Sequence, residues 1–101
     1  MDFGKQLKNA ILSGKMTFGQ RQAIDSCESG KAKLLIFAAN CPREYIDSIL
    51  SSHPDVPMHQ TEMVNRELGA ACAKPFAIST ICVLDEGSSE LLTLQPNVSE
   101  L

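Results

Sequence analysis

The stretch Lys33-Leu34-Leu35-Ile36-Phe37-Ala38-Ala39-Asn40 is a short, unbroken apolar run at the centre of this chain. An alternating pattern is typical of a strand with one wet face, whereas a continuous run of this length indicates a strand covered on both faces. Such a strand needs helices above and below it. After the run come Asn40, Cys41 and Pro42, a polar stop followed by a proline that suits the first turn of a helix. In open sheets of this kind ligands bind beyond the carboxyl ends of the strands, so Asn40 is the first candidate for a functional residue.

Helix and strand patterns alternate along almost the whole chain. The predicted elements, in order, are a helix over 3–13, a strand Lys15–Phe18, a helix Gln20–Glu28, the central strand, a helix beginning at Pro42 and stopped by His53 and Pro54, a short strand Val56–Gln60, a helix Glu62–Ala73, a strand Phe76–Leu84 and a last short strand or edge Leu91–Leu94. This alternation predicts a sheet sandwiched between layers of helices. We expect a single domain over residues 1–95 and a flexible C-terminal tail over 96–101.

Composition and charge narrow the classes of function. The chain has 101 residues and 44% hydrophobic residues, which suffices for one core. No apolar run approaches the roughly 20 residues of a membrane helix, and residues 1–12 lack the order of a signal peptide, so we expect a soluble intracellular protein. The net charge of −3 argues against a general polyanion binder. It is unevenly distributed: residues 1–43 carry seven basic and three acidic side chains (+4), whereas residues 44–101 carry two and nine (−7). Chance scatter over solvated surfaces explains this division as well as a local basic face does.

The sequence offers little for catalysis. No phosphate-binding glycine loop, dinucleotide fingerprint or zinc-protease helix is present, and no two of the four cysteines are spaced as C-x-x-C. We therefore predict no enzyme activity, no cofactor, no metal and no small-molecule substrate. Cys27, Cys72 and Cys82 are expected to be small buried hydrophobes. Cys41, in the loop after the central strand, leaves a thiol enzyme open as an alternative.

Four connections carry the candidate binding residues, each with a plainer structural explanation. Gly19-Gln20-Arg21 opens the second helix, where a glycine lets a ligand approach the free N–H groups, although it also suits a tight turn. Asn40-Cys41-Pro42-Arg43 follows the central strand, and Asn40 could simply cap the third helix. Asn65-Arg66-Glu67-Leu68-Gly69 contains a helical glycine that costs up to about 1 kcal/mol against alanine and so indicates close packing or a partner. Lys74-Pro75-Phe76 places an aromatic ring beside a lysine, which suits base stacking as well as a core position.

Taken together and in order, these segments resemble a known family. Their order and spacing resemble those of the kink-turn RNA-binding family of ribosomal proteins. The segments that carry the resemblance are Ser13-Gly14-Lys15, Gly19 with a following basic residue, Gly30-Lys31-Ala32-Lys33-Leu34, Ala38-Ala39-Asn40-Cys41-Pro42, Glu67-Leu68-Gly69 and Ala71-Cys72-Ala73-Lys74. The similarity is to the family's large-subunit type thirty of eukaryotes and archaea. It extends from about Phe3 to Leu94. Family members usually carry glycine and small polar residues where Met63 and Val64 stand, and glycine where Ala73 stands.

The resemblance implies a fold and a function. The fold is α/β, a three-layer α/β/α sandwich around a mainly four-stranded mixed sheet. The function is that of a structural component of the cytoplasmic large ribosomal subunit, which contacts neighbouring ribosomal proteins and binds, without chemistry, a kink-turn in ribosomal RNA or in another RNA. The residues that this role implies are Gly19, Gln20, Arg21, Asn40, Asn65, Glu67, Lys74 and Phe76, to which spacing adds Arg43. The alternative from a different class is a family relative that acts as a protein-interaction scaffold and presents its acidic half to a partner.

Overall fold

The computed structural model describes residues 2–98 and contains four helices, four strands and one short 3₁₀ helix in these residues. In chain order these are α1 (Phe3–Ser13), β1 (Lys15–Phe18), α2 (Gln20–Glu28), β2 (Leu34–Phe37), α3 (Arg43–Ser52), β3 (Met58–Gln60), α4 (Asn65–Ala71), β4 (Thr80–Asp85) and the 3₁₀ helix (Leu91–Thr93). The strands β1 and β2 and the helices α1 and α2 occupy the positions that their sequence patterns predict.

The four strands form one mixed sheet in the order β1-β4-β2-β3. β4 runs antiparallel to both β1 and β2, and β2 runs parallel to β3. Three strands therefore end, and β4 begins, at the same edge of the sheet. In the register, Phe37 near the end of β2 faces both Thr80 at the start of β4 and Gln60 at the end of β3.

Both faces of the central strand are buried, as the continuous apolar run predicts. Leu34 and Ile36 point into one core cluster, together with Leu7 of α1 and Leu68 of α4. Their neighbours Leu35 and Phe37 point into a second cluster, formed with α2 and α3. All four side chains of β2 are 0–1% exposed. The predicted α/β/α sandwich around a four-stranded mixed sheet is confirmed, with α1 and α4 on one face and α2 and α3 on the other.

Four predicted elements differ from the structure, the first being β3, which begins at Met58 rather than Val56. Helix α4 begins at Asn65 rather than Glu62, and β4 begins at Thr80 rather than Phe76. The segment between α4 and β4 lies against α4 and does not pair with a strand, because the Ile78 N–H donates to the Asn65 carbonyl oxygen at 3.0 Å. Leu91–Thr93 forms a 3₁₀ helix, not a strand, with Leu91 buried in the first cluster.

Asn97, near the start of the predicted flexible tail, is hydrogen-bonded to the body of the protein. Asn97 makes three hydrogen bonds to β3, through its side chain and its own N–H. Residues 99–101 of that predicted tail lie outside the described residues. Within residues 2–98 no helix combines the length and hydropathy needed to cross a bilayer.

Candidate nucleic-acid interface

Four connections meet at the edge where β1, β2 and β3 end and β4 begins. They are the turn at residues 19–21, the loop 38–42, the loop 61–64 with Asn65 at the start of α4, and the loop 72–79, which together form what we call the loop rim. Backbone hydrogen bonds join them: the Gly19 N–H donates to the Thr80 carbonyl at 2.9 Å and the Ala38 N–H to the Ser79 carbonyl at 2.9 Å. The Ala39 N–H donates to the Met63 carbonyl at 2.7 Å. The rim is therefore one connected surface.

Two of the predicted site residues, Asn40 and Asn65, touch each other on the rim. The Asn65 backbone N–H donates to Asn40 Oδ1 at 2.9 Å, and Asn40 Nδ2 donates to Asn65 Oδ1 at 3.1 Å. Asn40 does not cap α3, whose N-cap residue is Pro42. It satisfies instead an orphan N–H of the first turn of α4. Asn40 is exposed and Asn65 half-buried, so this amide pair forms part of the molecular surface.

The start of α4 lacks an ordinary cap, and Glu67 compensates for it. The N-cap residue is Val64, whose side chain has no acceptor for the helix N–H groups. Glu67 Oε1 instead accepts from the Val64 N–H at 3.1 Å. The carboxylate of Glu67, one of the predicted site residues, therefore already has a structural contact beside the amide pair.

Gly19 leaves open space at the start of α2. Its φ of 120° and ψ of 155° lie in a region that is essentially restricted to glycine, and a Cβ there would meet no atom within 4 Å. The backbone conformation, rather than packing, therefore requires this glycine. Within residues 2–98 no side chain caps α2, so N–H groups of its first turn have neither an intrahelical partner nor a side-chain cap. Arg21, the second residue of the helix, is exposed beside them.

Two contacts fix the turn that contains Gln20. Gln20 Nε2 donates to Ser79 Oγ at 3.3 Å, and the Tyr45 hydroxyl of α3 donates to the Gln20 carbonyl oxygen at 2.7 Å. Tyr45 packs edge-on against Phe37, with ring centroids 6.2 Å apart. Burial raises the pKa of Tyr45 from 10.0 to about 12, so the phenol remains a donor in alkaline solution as well as at neutral pH. Tyr45 was not among the predicted site residues, so its role in holding the rim was missed.

Phe76 and Lys74 belong to the loop that follows α4. Phe76 is 54% exposed, so the alternative of a core position is wrong. The Lys74 ammonium lies 5.0 Å from the ring centroid of Phe18, a cation–π distance that ties this loop to the end of β1. A Cβ on Gly69 would lie 2.0 Å from the Phe76 carbonyl oxygen. Close backbone packing therefore explains the helical glycine.

The two remaining arginines of this region lie at the starts of helices. Arg43 Nε lies 2.8 Å from Asp47 Oδ1, an exposed pair within the first turns of α3. Arg66, which we did not predict as a site residue, lines an open depression with Lys74 and Phe76. Its position next to Asn65 in the sequence could have identified Arg66 as a candidate site residue.

The structure does not favour a thiol enzyme. Cys41 is 6% exposed and its Sγ lies 3.7 Å from the Thr80 hydroxyl. Burial raises the pKa of the Cys41 thiol above its usual value, which lowers the thiolate fraction at neutral pH. The other three cysteines are also buried, as predicted. Within residues 2–98 no group of three or more His, Cys, Asp or Glu side chains could hold a metal ion.

An α/β/α sandwich with polar loops gathered at one edge of a mixed sheet matches the class of ribosomal protein that the sequence resembles. The chain belongs to the ribosomal protein L7Ae/L30e/S12e/Gadd45 family, whose model matches residues 1–93. This membership confirms the resemblance drawn from the sequence and the prediction that the chain is not an enzyme.

Individual relatives cover nearly the whole chain. A large ribosomal subunit protein eL30 of Methanospirillum hungatei is 43% identical over 94 residues, which are 93% of this chain and 98% of the relative. A protein of the same name from Methanosphaerula palustris is 36% identical, covering 94% and 98% of the two chains. A solved structure of a Bacillus halodurans protein of unknown function superposes with a TM-score of 0.76 at 21% identity, covering 90% of this chain and 92% of that one. That last likeness concerns the fold alone.

Proposed function

We propose that this protein is a structural component of the large ribosomal subunit that binds a kink-turn in RNA through the loop rim, without catalysis. Relatives that bear the name of a large-subunit protein, similar over nearly their full length, support the ribosomal role and a place on the cytoplasmic ribosome. The expected partners are ribosomal RNA, or another kink-turn RNA, and neighbouring ribosomal proteins.

The observation that carries the RNA-binding proposal is the amide pair of Asn40 and Asn65 on the connected rim. A sharply bent RNA exposes unstacked bases whose edges pair with amide side chains and whose faces stack on aromatic rings. The amide pair supplies the first kind of contact and Phe76, exposed on the same rim, supplies the second. The open space above Gly19 admits a phosphate to the N–H groups of α2.

Charge plays a secondary part in this proposal. Arg43 of the rim region is paired with Asp47, and the other cations there, Arg21, Arg66 and Lys74, belong to a chain with a net charge of −3. If each neutralises one phosphate, log K should fall with log salt concentration with a slope of about −2 to −3. Bases exposed by the bend, rather than a strong positive field, then account for the selection of the RNA.

A gel shift with a kink-turn RNA beside a straight duplex of equal length tests the proposal. We expect preferential binding of the kink-turn. Phe76→Ala should weaken it about 5- to 150-fold, the usual effect of losing one base stack. Arg21→Ala should weaken binding to both RNAs and make the salt slope shallower by about 1.

Matched controls lie at the far edge of the sheet. Lys31→Ala removes one exposed positive charge and Leu12→Ala removes a side chain that is 85% exposed, and neither residue lies near the rim. Both should bind like the wild type. Equal affinity for the bent and the straight RNA would refute kink-turn binding, and normal binding by both rim variants would refute this site.

A further inference from the structure

Gln60, the last residue of β3, holds the loop that presents Asn40. Gln60 Nε2 donates to the Ala38 carbonyl oxygen at 3.1 Å and to the Ala39 carbonyl oxygen at 3.3 Å. These two residues immediately precede Asn40. The N–H groups of Ala38 and Ala39 donate to the carbonyl oxygens of Ser79 and Met63. Gln60 therefore adds hydrogen bonds to the carbonyl oxygens of two residues whose N–H groups are already bonded.

Gln60 is held in turn by Asn97. The Gln60 N–H donates to Asn97 Oδ1 at 2.7 Å, and Asn97 Nδ2 donates to the Gln60 carbonyl oxygen at 3.0 Å. The Asn97 N–H donates to the Met58 carbonyl oxygen at 3.1 Å. β3 is an edge strand, so the carboxamide of Asn97 occupies the place that a peptide group of a further strand would take.

The segment that carries Asn97 is fastened on both sides of the sheet. Leu94 packs against the core cluster of α1 and α4, whereas Val98 packs against the core cluster of α2 and α3. Between them the Gln95 carbonyl oxygen lies 3.0 Å from His59 Nδ1. Residues 94–98 therefore pass from one face of the sheet to the other along the outer side of β3. They form what we call the edge strap.

We propose that Gln60 is a positioning residue for Asn40 and that the edge strap, through Asn97, sets the affinity of the loop rim for bent RNA. This inference rests on the proposed function. The strap itself lies off the rim, so its effect passes from Asn97 to Gln60 and then to the Ala38–Ala39 peptide units. Holding Asn40 in its binding geometry before RNA arrives removes an ordering cost from binding.

Gln60→Met tests the first link, because methionine keeps the length and neutrality of glutamine but has no N–H to donate. We expect affinity for a kink-turn RNA to fall about three- to tenfold, the range for losing one or two hydrogen bonds. Affinity for a straight duplex and the salt slope should stay the same, because no phosphate contact is lost. Gln95→Met, the same exchange at an exposed side chain of the strap, should bind like the wild type. Asn97→Ala tests the second link and should lower affinity for the kink-turn alone.

Amide hydrogen exchange in the free protein tests the positioning without RNA. The Asn65 N–H is bonded to Asn40 Oδ1, so its protection reports the position of Asn40. We expect faster exchange of this amide in Gln60→Met and in Asn97→Ala, and no change in Gln95→Met. Unchanged protection in the first two variants would overturn the inference, as would unchanged kink-turn affinity or an equal loss of affinity for both RNAs. Wild-type protein that does not prefer the kink-turn would refute the proposed function, while the exchange result would still decide whether Gln60 positions Asn40.

Discussion

Replacing Ala73 by glycine should stabilise the protein, although glycine usually destabilises a fold. Among residues 2–98, Ala73 is the one non-glycine residue with positive φ, at 57°. It follows the end of α4, where the Ala73 N–H donates to the Ala70 carbonyl and the Lys74 N–H to the Gly69 carbonyl. This pair of bonds is the Schellman motif, in which the left-handed position is normally glycine.

The expected change in the free energy of unfolding for Ala73→Gly is the difference between two opposing contributions. An L-residue in the left-handed region costs about 1–2 kcal/mol, and glycine does not incur this cost. Glycine in turn adds about 0.4–1 kcal/mol of conformational entropy to the unfolded chain. Since Ala73 is exposed, its methyl group contributes little packing. We therefore expect Ala73→Gly to raise the free energy of unfolding by about 0.5–1 kcal/mol and the Tm by about 2–8 °C.

Urea denaturation measures this change, with Ala70→Gly as the matched control. Ala70 is an exposed residue inside the same helix, where glycine should cost about 1 kcal/mol. The urea midpoint should rise by a few tenths of a molar for Ala73→Gly and fall for Ala70→Gly, with equal m-values. A loss of stability in Ala73→Gly similar to that of the control would refute the assignment of strain to Ala73.

Three further outcomes are expected. Gly69→Ala should lower the free energy of unfolding by up to about 2 kcal/mol in urea titrations, because an overlap cost of about 1–3 kcal/mol against the Phe76 carbonyl outweighs a helix-propensity gain of about 1 kcal/mol, and a net gain would refute the close contact. Burial raises the pKa of Cys82 and that of Cys72 from 9.0 to about 11, so unfolded chains ionise first and the urea midpoint should fall as pH rises from 9 to 11; Cys82→Ala should make this fall smaller, and an unchanged fall would contradict the assignment. Cys41 in the folded protein should react with iodoacetamide at pH 7 more slowly than a free thiol, and labelling as fast as in urea would contradict its burial.

Local patterns predicted the elements better than the contacts between them. The run Leu34–Phe37 has too many consecutive apolar residues for a half-exposed strand, and both of its faces proved to be buried. The apolar spacing of Leu91–Leu94 fits a strand as well as a single helical turn, and only packing against the first core cluster selects the 3₁₀ helix. Phe76 to Ser79 has β-forming residues, but the contact with Gly69 holds that segment over α4.

The candidate site was predictable as a set of loops and not as a set of contacts. The sequence pattern placed Asn40 at the end of a buried strand, and the structure gathers the other candidate loops at that same edge of the sheet. Its partner lies 25 residues away along the chain, and no local pattern distinguishes an asparagine that caps α3 from one that binds α4. The contact between Gln60 and Asn97 spans 37 residues and was likewise invisible in the sequence.

The most direct test of the account is a ¹⁵N chemical-shift map of the protein titrated with a kink-turn RNA. We expect the largest shifts at Gly19, Asn40 and Asn65 on the loop rim, and unchanged signals for Leu12 and Lys31 at the far edge of the sheet. Shifts concentrated at the far edge, or the same pattern with a straight duplex, would contradict the claim that this rim grips a bent RNA.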